Sequence, residues 1–112
     1  MKAIPFIFLS ALGFCLSNCS QVNPQATLQH LKTTDSGIKG GDGQSMESAI
    51  VLTEKTPAVI RQEYVIFESL YGFRPDIQGL TEKDGHHYDV LSGKDKTLYF
   101  DISAYWRHTY GK

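Results

Sequence analysis

Residues 77–103 read IQGLTEKDGHHYDVLSGKDKTLYFDIS, and this stretch decides the fold. Two runs of strand-forming residues, Ile77 to Lys83 and His86 to Ser92, flank Asp84-Gly85, a dipeptide that closes two-residue hairpins because both of its residues tolerate positive φ. A looser turn at Gly93-Lys94-Asp95 leads into a third run, Thr97 to Ser103. There Leu98, Phe100 and Ile102 point one way and Tyr99 and Asp101 the other, the period-two pattern of a strand with one face on a core. Three antiparallel strands in succession are expected.

The element that covers their apolar face lies just upstream. Thr56-Pro57 supplies a helix N-cap and a first-turn proline, and Gly72 stands where a C-terminal cap belongs. Between them, at about 100° per residue, Val59, Ile60, Tyr64, Ile66, Phe67, Leu70 and Tyr71 fall within an arc of roughly 160°, so Ala58 to Tyr71 is predicted to be an amphipathic helix. Before it, Ala49-Ile50-Val51-Leu52 reads as a short buried strand. The order β-α-β-β-β makes an α+β domain over residues 48–112, with one amphipathic helix packed on a small antiparallel sheet. Either edge of the three-strand unit is compatible with pairing to the first strand. At about 65 residues without disulfides, such a core has modest stability or needs a partner.

Residues 19–47 differ in composition: Gln, Asn, Thr, Ser and Gly dominate, and the stretch reads as a flexible polar tether in which Gln25 to Lys32 forms at most a helical turn or two. Gly40-Gly41-Asp42-Gly43 lacks the Gly-Lys-Ser/Thr and the preceding strand that a phosphate loop requires. Asp42 and Glu47 are too few acidic ligands for a calcium loop. Across the whole chain, 112 residues leave room for one core, and a net charge of −1 offers no basic footprint, so nucleic acid is not an expected partner.

The N-terminus is an address. Met1-Lys2 gives one positive charge, and Ala3 to Leu16 is an apolar run broken only by Pro5, Ser10 and Gly13, too short to span a bilayer and shaped like a secretory h-region. It ends in Leu16-Ser17-Asn18-Cys19, which resembles the bacterial lipobox, with Asn18 standing where Gly or Ala is usual. The resemblance implies that residues 1–18 are a signal peptide, that Cys19 is lipidated, palmitate being among its chains, and that the protein is tethered by that lipid to the bacterial cell envelope, facing the periplasm. A signal peptide cut after Ser17 or Cys19 without lipidation, and an uncleaved anchor helix, stay open. The only cysteines are Cys15 and Cys19, so lipidation leaves the mature chain without a free thiol, as an oxidising compartment favours. Ser20 and Gln21 lack the aspartate that retains a lipoprotein in the inner membrane in the enteric pattern this resembles, which favours the outer membrane.

Few residues suggest chemistry. Glu63 falls near the centre of the helix's apolar arc, where a carboxylate must reach a partner, find water at the rim or shift its pKa. One reading makes it an acid, base or ligand under the sheet. The plainer reading bonds it to Arg74, a tyrosine hydroxyl or a backbone amide. In His86-His87-Tyr88-Asp89, strand alternation puts His87 and Asp89 on one face, with Glu82 across the hairpin from His87, a candidate two-strand metal site, while histidines beside a tight turn are more simply exposed polar residues. No Gly-x-Ser-x-Gly or His-Glu-x-x-His is present, and no histidine stands at a spacing that predicts a triad with serine. No cofactor is expected. Tyr105, Trp106 and Tyr110, with Arg107 and His108, suit an interaction surface or simply a cover for the open edge of the sheet.

Asp42-Gly43-x-Ser45-x-Glu47-x-Ala49-Ile50-Val51, Glu63-Tyr64 and Tyr99-Phe100-Asp101-Ile102-Ser103 also look like a group of small bacterial proteins built on this scheme, a resemblance that implies the domain boundary and no activity. The expectation is a lipid-anchored envelope module that binds a protein partner and is not an enzyme. The competing class is a small envelope enzyme or metal-binding protein using Glu63 or His87 and Asp89.

Overall fold

The hairpin forms as its turn dictates. Asp84 and Gly85 have φ of 54° and 81°, the left-handed pair of a tight primed turn. They join β3 (Ile77–Lys83) to β4 (His86–Gly93) in an unbroken register from Lys83↔His86 to Ile77↔Ser92. The next turn is tighter than expected: Lys94, at φ 55°, and Asp95 alone separate the paired residues Gly93 and Lys96, which opens β5 (Lys96–Asp101). In this computed structural model, which describes residues 23–111, the remaining elements are α1 (Pro24–Thr34), β1 (Ile38–Gly40), β2 (Ile50–Leu52), α2 (Ala58–Tyr71) and α3 (Ser103–Tyr110). The expectations for residues 1–18 and for Cys19 lie outside the described residues.

The fold is α+β, with a five-stranded sheet ordered β1-β2-β5-β4-β3. The expected sheet was wholly antiparallel; it is mixed, because β2 pairs in parallel with β5 through Ile50↔Phe100 and Val51↔Asp101. The chain leaves β2 through α2, which crosses the sheet and returns it beyond β5, so the later hairpin carries β5 back alongside β2. Helix α2 is the predicted one: Thr56 Oγ1 accepts the Ala58 N–H at 3.2 Å, and Gly72 closes the other end, donating its N–H to Glu68 O at 2.8 Å. It buries Val59, Glu63, Ile66, Phe67 and Leu70 against β4 and β5.

The tether expected over 19–47 is corrected for residues 23–47, which belong to the fold. Asn23 Oδ1 accepts the Gln25 N–H at 2.9 Å and Pro24 follows at the first helical position, so α1 starts as a capped helix. Leu28 and Ile38 are buried in the core beside Ile50, Leu52, Phe67, Leu91, Leu98 and Phe100, with Leu31 packed on them. Three apolar side chains suffice here because the rest of the domain supplies the surface they bury against. The glycines are points of close approach: at Gly43, with φ 80°, a Cβ would lie 2.9 Å from Leu98 Cδ2, and its carbonyl accepts the Tyr99 N–H at 2.8 Å.

The third strand of the sequence reading stops at Asp101, two residues early. Asp101 Oδ1 accepts both the Ser103 N–H at 2.9 Å and the Ser103 hydroxyl at 2.6 Å, which turns the chain into α3. Leu28 of α1, the apolar arc of α2 and Tyr105 of α3 all pack into one core, so every described helix lies on the same side of the sheet.

Candidate functional site

Glu63 is fully enclosed, at 0% exposure, and neither carboxyl oxygen has a hydrogen-bond partner among the described residues. The expected partners are engaged elsewhere. Arg74 Nε lies 3.6 Å from Glu68, both exposed, and the Tyr64 hydroxyl donates to Gln78 Oε1 at 3.0 Å. The neighbour that acts on Glu63 is Asp89, itself buried on the helix side of β4. Burial first, then side-chain contact with Asp89 and its charge, push the Glu63 carboxyl up from 4.5 to about 10. Glu63 is therefore a neutral acid at neutral pH.

Asp89 connects this buried carboxyl to the surface. Its Oδ2 accepts from Gln78 Nε2 at 2.9 Å, and Gln78 Oε1 in turn accepts from Tyr64. Residues 78 and 89 share the helix side of the sheet, since Leu80 stands opposite Asp89 and Gln78 opposite Leu91. The chain of contacts ends at an open groove of about 750 Å³ walled by Ile60, Arg61, Tyr64, Arg74 and Gln78, with the Arg74 guanidinium 5.7 Å from the centre of the Tyr64 ring. An amide donates through nitrogen and accepts through oxygen, so Gln78 fixes positions and does not relay a proton between groove and carboxyl. Glu63, without access to the groove, cannot act as acid or base on anything bound there. Two arginines, an aromatic ring and an amide suit a ligand with an anionic group beside an apolar one.

The metal candidates separate. His87 and Glu82 do stand opposite one another, but His87 Nε2 is 3.9 Å from Glu82, Asp89 is held by Gln78, and among the described residues no three His, Cys, Asp or Glu side chains converge. His87 instead stacks on Trp106, with ring centres 4.3 Å apart and planes at 12°, and Trp106 packs against Tyr110 at 4.6 Å. The three terminal aromatics thus have different roles: Tyr105 joins the core, Trp106 covers His87, and Tyr110 alone is largely exposed.

The structure also brings together a serine, a histidine and an aspartate that spacing did not connect. His86 Nδ1 lies 2.9 Å from Asp101 Oδ2 and 3.4 Å from Ser103 Oγ. The wiring is that of a cap, because the Ser103 hydroxyl gives its proton directly to Asp101 and accepts the His87 N–H at 3.1 Å, leaving no histidine positioned to deprotonate it. Burial raises the Asp101 carboxyl, but hydrogen bonds from the Ser103 side chain and backbone and from His86 outweigh it and hold the group below the ordinary aspartate value. An Asp-x-Ser placed just before a helical run was the available signal. For Gln78 it was a polar residue at an inward position of an alternating strand. Comparison with family models, with curated proteins and with solved structures finds no match to this chain.

Proposed function

We propose that this protein is a lipid-anchored module of the bacterial cell envelope, facing the periplasm and favouring the outer membrane, that works by binding a protein partner. The anchor rests on the leader and on Leu16-Ser17-Asn18-Cys19, with no cysteine after Cys19. The observation that carries the binding half is the groove at Ile60, Arg61, Tyr64, Arg74 and Gln78: it is open, while Glu63 is enclosed and the Asp101, His86 and Ser103 side chains are committed to one another. An envelope protein presenting a carboxylate beside an apolar side chain would meet the arginines and the Tyr64 ring together.

Two measurements test the two halves. Intact mass of membrane-extracted protein should carry two or three acyl chains on a chain beginning at Cys19, and Cys19→Ala should release the protein from the membrane; unmodified Cys19 in a soluble periplasmic protein refutes the anchor. A photo-crosslinking residue at Arg61 should yield a discrete adduct in envelope preparations, and one at the exposed Lys39 should not. Equal yields from both positions refute the groove as the contact.

A further inference from the structure

Among the described residues the strand β3 is an open edge of the sheet; its charges, Glu82 and Lys83, stand only at its turn end, and two other devices that blunt an edge, a bulge and a proline, are absent from it. Its ladder to β4 runs seven pairs without a bulge, it contains no proline, and it exposes Ile77 at 66% and Leu80 at 53%. Helix α2 packs on β4 and β5, so the helix-side residues of β3, Gln78, Leu80 and Glu82, are also exposed. From these features we infer that β3 pairs with β3 of a second copy of this chain, antiparallel about a two-fold axis at Leu80.

The turn fixes the register. A two-residue hairpin makes Lys83 and His86 its closing hydrogen-bonded pair, so Lys83, Thr81, Gly79 and Ile77 spend their backbone groups on β4, whereas Glu82, Leu80 and Gln78 aim theirs outward. A two-fold axis at Leu80 sets all three outward residues opposite outward residues: Leu80 on Leu80 of the second copy, and Gln78 on Glu82 of the second copy, twice. A shift of one residue either way leaves outward groups unpaired. The side chains agree. The exposed Leu80 meets its own copy, Ile77 lies along the methylenes of Lys83 of the second copy, and no like charges face each other within the strand. Beyond its ends Asp76 falls opposite Asp84 of the second copy, so added salt should strengthen the dimer. The other sheet edge, β1, has three residues and presents no comparable length.

The pairing deepens the groove reading and rests on it in one respect: the two grooves, each beside β3 on the helix side, join into one trough between the α2 helices, floored by paired β3 strands. The second copy then completes the site. Self-association itself is measured without any partner, by sedimentation of the full chain in detergent. The wild type should be a dimer that tightens with salt. Leu80→Lys, at an exposed position, should raise the dissociation constant about tenfold or more by setting like charges on the axis, and should keep the wild-type circular dichroism. Leu80→Cys should cross-link to a dimer with a short bismaleimide, and Val65→Cys, exposed on α2, should not. A monomer at all concentrations, or a dimer indifferent to Leu80→Lys, overturns the inference. Should a monomeric protein lose its Arg61 adduct in Leu80→Lys, the edge belongs to a strand of another protein; that outcome also refutes self-pairing and leaves the groove reading standing.

Discussion

Replacing Glu63 with glutamine should remove most of the pH dependence of this protein's stability between pH 5.5 and 7.5. Enclosure beside Asp89 raises the carboxyl from 4.5 to about 10 in the folded state, so between those values the unfolded chain ionises Glu63 while the folded chain keeps its proton. A group whose folded value is raised adds stability fully below 4.5 and loses it progressively as pH climbs toward 10. Each pH unit in that window costs about 1.4 kcal/mol, hence about 2.7 kcal/mol from pH 5.5 to 7.5. Glutamine keeps the shape, stays neutral in both states and abolishes this slope. At pH 7.5 Glu63→Gln should exceed the wild type by on the order of 3 kcal/mol, after allowing about 1 kcal/mol for imperfect packing against Asp89. With a urea slope of about 1 to 1.5 kcal/mol/M, the midpoints should differ by about 2 M or more. Trp106, the single tryptophan, stacks on His87 and reports unfolding by fluorescence. Contributions that the two proteins share cancel in the difference. Identical pH slopes for the wild type and Glu63→Gln would refute the buried neutral acid.

Asp101→Ala should lower stability by about 1 to 2 kcal/mol, since it removes the acceptor for both Ser103 groups at the start of α3, and the loss should show as reduced helical circular dichroism and an earlier urea midpoint. Dialysed protein without a histidine tag should hold well under one equivalent of zinc, copper or nickel by elemental analysis, because structural sites take four ligands and His87, Asp89 and Glu82 do not converge. One equivalent lost on His87→Ala would restore the metal-binding reading.

What was legible in the sequence is what local chemistry encodes. Asp84-Gly85 specified the hairpin, Thr56, Pro57 and Gly72 bracketed α2, and helical periodicity put Glu63 at the centre of the buried arc. Pairings between distant segments were not legible. No local pattern says that β2 joins β5 in parallel, that Asp89 faces Glu63, or that the Ser103 hydroxyl reaches the same carboxylate as His86. The segment 23–47 was misread for a different reason. Its polarity is that of a tether, yet burial is decided residue by residue, and Leu28, Leu31 and Ile38 are enough to hold a helix and an edge strand on a core built by others.

Only four peptide steps separate Cys19 from Asn23, which caps the first helix of the domain, a span of at most about 14 Å when fully drawn out. On the lipid-anchored reading the domain rides directly on the bilayer surface, where the sequence had suggested a long leash. Its encounters become those of a two-dimensional gas: copies diffuse in one thin layer, collide edge to edge, and reach local concentrations that a soluble protein of the same abundance never attains. Weak strand pairing along β3 would suffice under that confinement, and a partner sunk in the same membrane would be met far more often than one arriving from the open periplasm.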